Sequence, residues 1–228
     1  MKLSFTSRSV LNFITFLLLL ISASCDEETP PQKRINKVLV IGNSITYHPP
    51  APDIGWNNSW GMAASSPEKD YFSILKKSLE NHNPNVQVIR ENVYPFEVYF
   101  SSLDYAEYAD LKGFGADMVI VRLGENVNTD QVKDHNFGEA LISFVNYLKK
   151  DQESKVVVST TFWPNPVMNE QLRWAANKEN WFLIDITYLS EDDVNMALGE
   201  YENEGVARHP GDTGMMEIAR LIREGLPL

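Results

Sequence analysis

Five short apolar runs, residues 38–41, 86–89, 118–121, 156–159 and 182–186, recur along the chain with helix-like stretches between them. Each is rich in Val and Ile and too short for a helix, so each reads as a buried strand. Strands that alternate with helices form a parallel sheet, and strands apolar on both sides need helices on both faces. The expected architecture is therefore α/β, with a five-stranded parallel sheet between two helical layers. Residues 70–80 and 137–148 read as helices, the second because Phe137, Leu141, Phe144, Val145 and Leu148 fall on one stripe. A last helix is expected from Asp212 or Thr213, burying Met215, Ile218, Ala219 and Ile222. The segment 46–69, with Pro49, Pro50, Pro52, Gly55 and Gly61, reads as a long loop, and such loops in compact domains are often functional.

That loop leaves from a serine. The run 37–46 ends an apolar strand on Gly42 and then presents Asn43 and Ser44. In an open parallel sheet, ligands bind beyond the carboxyl ends of the strands. Ser44 follows the first strand and Gly124-Glu125-Asn126 follows the third, so both can face one crevice. A serine hydroxyl is a weak nucleophile near neutral pH; it needs a base for its proton and donors for the oxyanion that forms. His209 can be that base and Asn126 a donor.

Gly42-Asn43-Ser44, Gly124-Glu125-Asn126 and His209-Pro210, in this order, resemble the first, third and last sequence blocks of the SGNH hydrolases, the GDSL-type esterase and lipase superfamily. The resemblance spans nearly all of the chain from residue 36 to 228. It implies a flavodoxin-like α/β/α sandwich, Ser44 as nucleophile and His209 as base. It also implies an oxyanion hole made by the Ser44 N–H, the Asn126 side chain beside Gly124, and a backbone N–H from a glycine after the second strand. No cofactor or metal is implied, and neither His82, expected in a turn beside Asn81 and Asn83, nor His135, expected at a helix start after Asp134, has a metal-ligand spacing.

The sequence departs from the family pattern at three points. Asn43 stands where the family has Asp. The glycine block is missing, since the second strand is followed by Glu91-Asn92-Val93-Tyr94-Pro95-Phe96. Val206 occupies the place, three residues before the histidine, where the family carries its acid. A base without an acid partner loses tautomer control and charge stabilisation. Either a Ser44–His209 dyad operates with a backbone carbonyl orienting the ring, or an acid such as Glu202 or Glu204 substitutes. Asp212 reads more simply as the N-cap of the last helix. Trp56 and Trp60 in the long loop, and Trp163 after the fourth strand, offer faces on which a sugar ring can stack, or else pack the loop onto the sheet.

Residues 1–24 read as a signal peptide: Lys2 and Arg8, an apolar run over 10–21, then Ser22-Ala23-Ser24 before Cys25, the sole cysteine. Cys25 resembles a bacterial lipoprotein cysteine, with residues 25–35 as a tether to a domain over 36–228; otherwise it is an incidental thiol. Cleavage removes two positive charges and no acid, taking the formal net charge from −11 to −13. A chain so acidic has nothing to neutralise phosphates in bulk, which excludes nucleic-acid binding. The expected activity is extracytoplasmic serine esterase chemistry on an acylated small molecule or glycan, with membrane attachment through lipid on Cys25. A lipase, thioesterase or arylesterase on the same residues, or a glycan-binding scaffold without turnover, are the alternatives. Activity is expected to fall in acid as His209 protonates.

Overall fold

The computed structural model describes residues 34–228, so the expected signal peptide, Cys25 and the tether up to residue 33 lie outside the described residues. Five strands, β1 (Lys37–Gly42), β2 (Gln87–Asn92), β3 (Met118–Arg122), β4 (Lys155–Ser159) and β5 (Phe182–Ile184), form one parallel sheet in the order β2-β1-β3-β4-β5. The expected fold class holds: the sheet lies between two helical layers.

The period-two alternation of the strands divides the core in two. Leu39, Ile41, Val119, Val121, Val156 and Val158 face one way. They meet α2 (Tyr94–Tyr99), α3 (Ala109–Phe114), α5 (Phe137–Leu148) and α6 (Pro166–Glu179). Val38, Val40, Met118, Ile120 and Val157 face the other way, onto α1 (Tyr71–His82) and α8 (Asp212–Glu224). All five residues of the predicted α5 stripe are buried, and in α8 so are Met215, Ile218, Ala219 and Ile222. Each of these side chains other than Ala219 contributes about 1.5–3 kcal/mol. Two further short α-helices are α4 (Thr129–Asp134) and α7 (Glu204–Ala207).

Three local expectations are corrected. Glu91 and Asn92 belong to β2 instead of following it, because β2 pairs with β1 as far as Gly42 opposite Asn92. Gly211, not Asp212, caps α8; the Asp212 carboxylate instead accepts from Ser65 N, Ser65 Oγ and Lys69 Nζ. His82 ends α1 and His135 caps the C-terminus of α4, so neither occupies the turn or helix start expected of it.

The strand order reverses direction between β1 and β3, which opens a crevice beyond their carboxyl ends. Gly42 ends β1 because no side chain fits there: a Cβ would stand 1.9 Å from Thr46 Oγ1 and 2.6 Å from the Arg122 carbonyl. The loop 46–69 contains only two 3-10 turns, Pro52–Ile54 and Pro67–Lys69, and is pinned by paired backbone groups such as His48 N to Trp60 O and Met62 N to Ser44 O.

Candidate active site

The chain leaves β1 in a tight turn in which the Asn43 carbonyl accepts from both Thr46 N and Tyr47 N, and this lifts Ser44 to the crevice. His209 arrives from the opposite end of the sequence. Ser44 Oγ and His209 Nε2 are 2.9 Å apart, a hydrogen-bonding distance that fits proton transfer. His209 Nδ1 lies 2.7 Å from the Gly205 carbonyl oxygen. Gly205 is in the one-turn helix α7, whose last carbonyls lack helical partners, and the imidazole takes one of them. A carbonyl only accepts, so Nδ1 carries the ring proton and Nε2 is free to accept from Ser44.

Among the described residues, no carboxylate bonds the imidazole, whose Nδ1 meets only the Gly205 carbonyl. Of the two acids offered by the sequence, Glu204 is exposed and bound to Arg208 at 2.6 Å, and Glu202 is exposed. Val206, at the family's acid position, is buried with Trp56, Met62, Ala63 and Ala197. Helix α7 is fixed instead by Asn203, whose side chain accepts from Val206 N, and by the His209 N–H on the Val206 carbonyl. Burial pushes the His209 pKa down to about 4, against the Gly205 carbonyl, which favours the charged ring, while Arg122 adds to the fall.

Asn126 lines the same cavity as Ser44 and His209. Among the described residues, the Ser44 N–H has no hydrogen-bond partner and is available to an oxyanion. Among the described residues, the loop after β2 has no free backbone donor to add. Val93 N donates to the Gly42 carbonyl, Tyr94 N to Asn92 Oδ1 and Phe96 N to the Val93 carbonyl, while Pro95 has no N–H. The turns after β1 and β3 thus offer Ser44 N and Asn126 Nδ2 as donors. Gly124 is not a third: its N–H is spent on Glu97 Oε1 at 2.6 Å, and its φ of 125° is what the turn requires of it.

Below these groups lies a buried charged cluster that the sequence reading missed. Arg122, fully buried at the end of β3, donates to Glu125 Oε1 at 2.9 Å and to Asn43 Oδ1 at 2.8 Å. Asn43 Nδ2 donates in turn to Glu125 Oε2 at 2.6 Å and Glu97 Oε1 at 3.1 Å. Burial, and then the Glu125 carboxylate, push the Glu97 pKa up, while its N–H donors pull the other way. A charged residue in the otherwise apolar stretch Tyr94-Pro95-Phe96-Glu97-Val98-Tyr99 was the available signal.

The cavity encloses about 720 Å3 and is walled by Tyr47, Pro49, Ile54, Met62, Tyr94 and Val206, with His48 and Glu91 on its lining. Burial also raises the Glu91 pKa. None of the three tryptophans is on that lining. Trp56 is fully buried and meets Trp60 edge-on at 5.9 Å, and Trp60 Nε1 donates to the Ala64 carbonyl. Both hold the long loop together. Trp163 sets its ring edge-on to His209 at 5.1 Å and donates from Nε1 to the Arg208 carbonyl. Among the described residues no cluster of His, Cys, Asp and Glu could hold a metal ion.

No family model and no characterised protein matches the sequence. Solved structures do share its fold, and they include esterases of the GDSL type. An acetylxylan esterase from Geobacillus stearothermophilus superposes with a TM-score of 0.54 at 17% identity, over 85% of this chain and 94% of that one. A GDSL-like lipase from Parabacteroides merdae gives 0.54 at 16%, over 85% and 96%. A two-domain esterase active on acetylated mannans gives 0.54 at 18%, over 83% of this chain and 48% of its own. Identities this low make the likeness one of fold.

Proposed function

We propose that the chain is an extracytoplasmic serine esterase that removes short acyl groups, acetyl first, from carbohydrate. The observation that carries the reaction class is the 2.9 Å contact between Ser44 Oγ and His209 Nε2, with Nδ1 of the same ring committed to the Gly205 carbonyl. Ser44 Oγ attacks the ester carbonyl as its proton passes to Nε2. The oxyanion is met by Ser44 N–H and Asn126 Nδ2. Collapse breaks the bond to the alcohol oxygen, which takes the proton from His209. Water, deprotonated by the same nitrogen, then attacks the acyl-enzyme and frees Ser44.

Acetylated carbohydrate as substrate is supported by the acetylxylan and acetylated-mannan esterases that share the fold, and it suits the export expected from the sequence of residues 1–24. Lipid on Cys25 would hold the domain at a membrane of the cell envelope. Fractionation of bacteria expressing the full chain tests this, because Cys25→Ser should move the protein from the membrane to the soluble fraction. A second reading, as a lipase, thioesterase or arylesterase, is favoured by the mostly apolar walls of the cavity around Tyr47, Ile54, Met62 and Tyr94.

The deciding experiment is fluorophosphonate labelling of wild type, Ser44→Ala and His209→Ala, followed by turnover of acetylated xylan and of a series of esters from acetyl to octanoyl. Labelling of wild type alone, with acetyl cleaved fastest, is the expected result. A preference for octanoyl moves the assignment to the second reading. A folded wild type that takes no label and cleaves no ester is a scaffold, not an esterase.

A further inference from the structure

Glu97 is fully buried, and all of its hydrogen-bond partners are donors. Oε1 accepts from Gly124 N at 2.6 Å, Asn43 Nδ2 at 3.1 Å and Asn126 N at 3.4 Å, and Oε2 accepts from Asn126 Nδ2 at 2.7 Å. These partners come from the turn that carries Ser44 and the turn that carries Asn126. We infer that Glu97 is a positioning residue for the oxyanion hole, its carboxylate holding the Asn126 amide with nitrogen, not oxygen, towards Ser44. The inference rests on the esterase reading of Ser44 and His209.

The logic lies in the two faces of a side-chain amide. Asn126 can present either Nδ2 or Oδ1 to the crevice, and only Nδ2 stabilises an oxyanion. A carboxylate has no hydrogen to donate, so it accepts one Nδ2 hydrogen and leaves the other for substrate. The constraint matters more here because no third donor comes from the loop after β2. In a hole that draws on few backbone donors, an amide turned the wrong way replaces an attractive group with a lone pair.

Glu97→Gln separates positioning from general support of the fold. The glutamine oxygen can keep the bonds to Gly124 N, Asn43 Nδ2 and Asn126 N, but its nitrogen then meets Asn126 Nδ2, donor against donor. The amide turns, and the hole presents Oδ1. Expected is a fall in kcat of about a hundredfold, as for loss of one oxyanion donor, with KM changed less than about threefold. Asn126→Ala should lose a similar factor, and the double variant should be no slower than Asn126→Ala alone, since residues acting as one unit are non-additive.

A folded Glu97→Gln with wild-type kcat overturns the assignment, as do losses that multiply in the double variant. Should Glu97→Gln fail to fold, wild type itself gives the answer. In protein labelled with 15N-asparagine, one Nδ2 proton of Asn126, identified by its absence in Asn126→Ala, should be protected from solvent exchange. Exchange as fast as in an exposed asparagine overturns the inference. A wild type that cleaves no ester removes the esterase reading and this inference together. An active wild type with an indifferent Glu97→Gln removes the inference alone.

Discussion

Titration of hydrolysis between about pH 3.5 and 8 reads directly on what stands behind His209. An imidazole with an ordinary pKa titrates near 6.5, whereas burial pushes His209 down to about 4. A carboxylate on Nδ1 would do the reverse, because it favours the charged ring. At pH 5 only about a tenth of the His209 population is protonated, against nearly all of an exposed imidazole. The plateau of kcat/KM should therefore extend from pH 8 to about 5, with the half-maximum near 4, and the acid fall expected from the sequence comes lower than an ordinary histidine would give. The same shift is a stability statement. Its contribution is fully present above pH 6.5, where both states are neutral, and is lost as pH falls through about 4. It is worth on the order of 3 kcal/mol. Denaturant unfolding of wild type and His209→Gln across this range isolates it from the carboxylates, since only the difference between the two belongs to the histidine. The assay is hydrolysis of a non-ionising ester, with initial rates corrected for any enzyme unfolded in acid. A half-maximum at or above 6.5 would refute the reasoning and require a carboxylate partner for His209 in the working enzyme.

Other perturbations test the frame around the dyad. Asn43→Asp takes a donor from both Glu97 and Glu125 and adds a third buried carboxylate, so it should destabilise by about 3–5 kcal/mol by denaturant unfolding and lower turnover with it. Gly124→Ala forces a side chain into a backbone at φ 125° with its Cβ 2.9 Å from Thr161 Cγ2; a loss of about 1–3 kcal/mol is expected. Trp56→Ala empties a fully buried site and should cost about 3–5 kcal/mol, in contrast to a sugar-stacking residue, whose loss would raise KM at constant stability. Trp163→Ala removes an edge-on ring contact from His209, and up to about a tenfold fall in kcat is expected with the fold intact.

The sheet was legible chiefly through β1, β3 and β4, which are short, β-branched and apolar on both sides. The α5 stripe was legible because helical period survives in a sequence whatever packs against it. What could not be read was set by partners distant in the chain. Glu97 and Asn126 are 29 residues apart and Asn43 and Glu125 are 82 apart, so no local pattern marks them as one cluster. The Gly205 carbonyl was invisible for another reason. Every residue has a carbonyl, and only the shortness of α7 makes this one available to His209. The tryptophans divide differently: a residue suited to stacking on sugar is equally suited to filling a core, and burial puts Trp56 in the core, while Trp163 is half-buried against His209.

Two of the three departures from the pattern that the sequence resembles, Val206 and Asn43, answer to one physical account. With Val206 in an apolar cluster, a carboxylate at that position would be desolvated against Trp56 and Met62, and the histidine turn is held by packing and by helix α7 instead of by an ion pair. The negative charge instead lies at the other side of the site, where Glu97 and Glu125 share a buried cluster with a single guanidinium, Arg122. An Asp at position 43 would be repelled by both carboxylates. An Asn fits, because Nδ2 donates to each of them while Oδ1 accepts from Arg122 at 2.8 Å. Asn43 is therefore the residue the glutamates require, and it ties the turn carrying Ser44 to the groups that hold Asn126. On this account Asn43 and Glu97 are coupled: loss of either should disturb the oxyanion side of the site, while His209, held by the Gly205 carbonyl, keeps its acid limb near pH 4 in both variants.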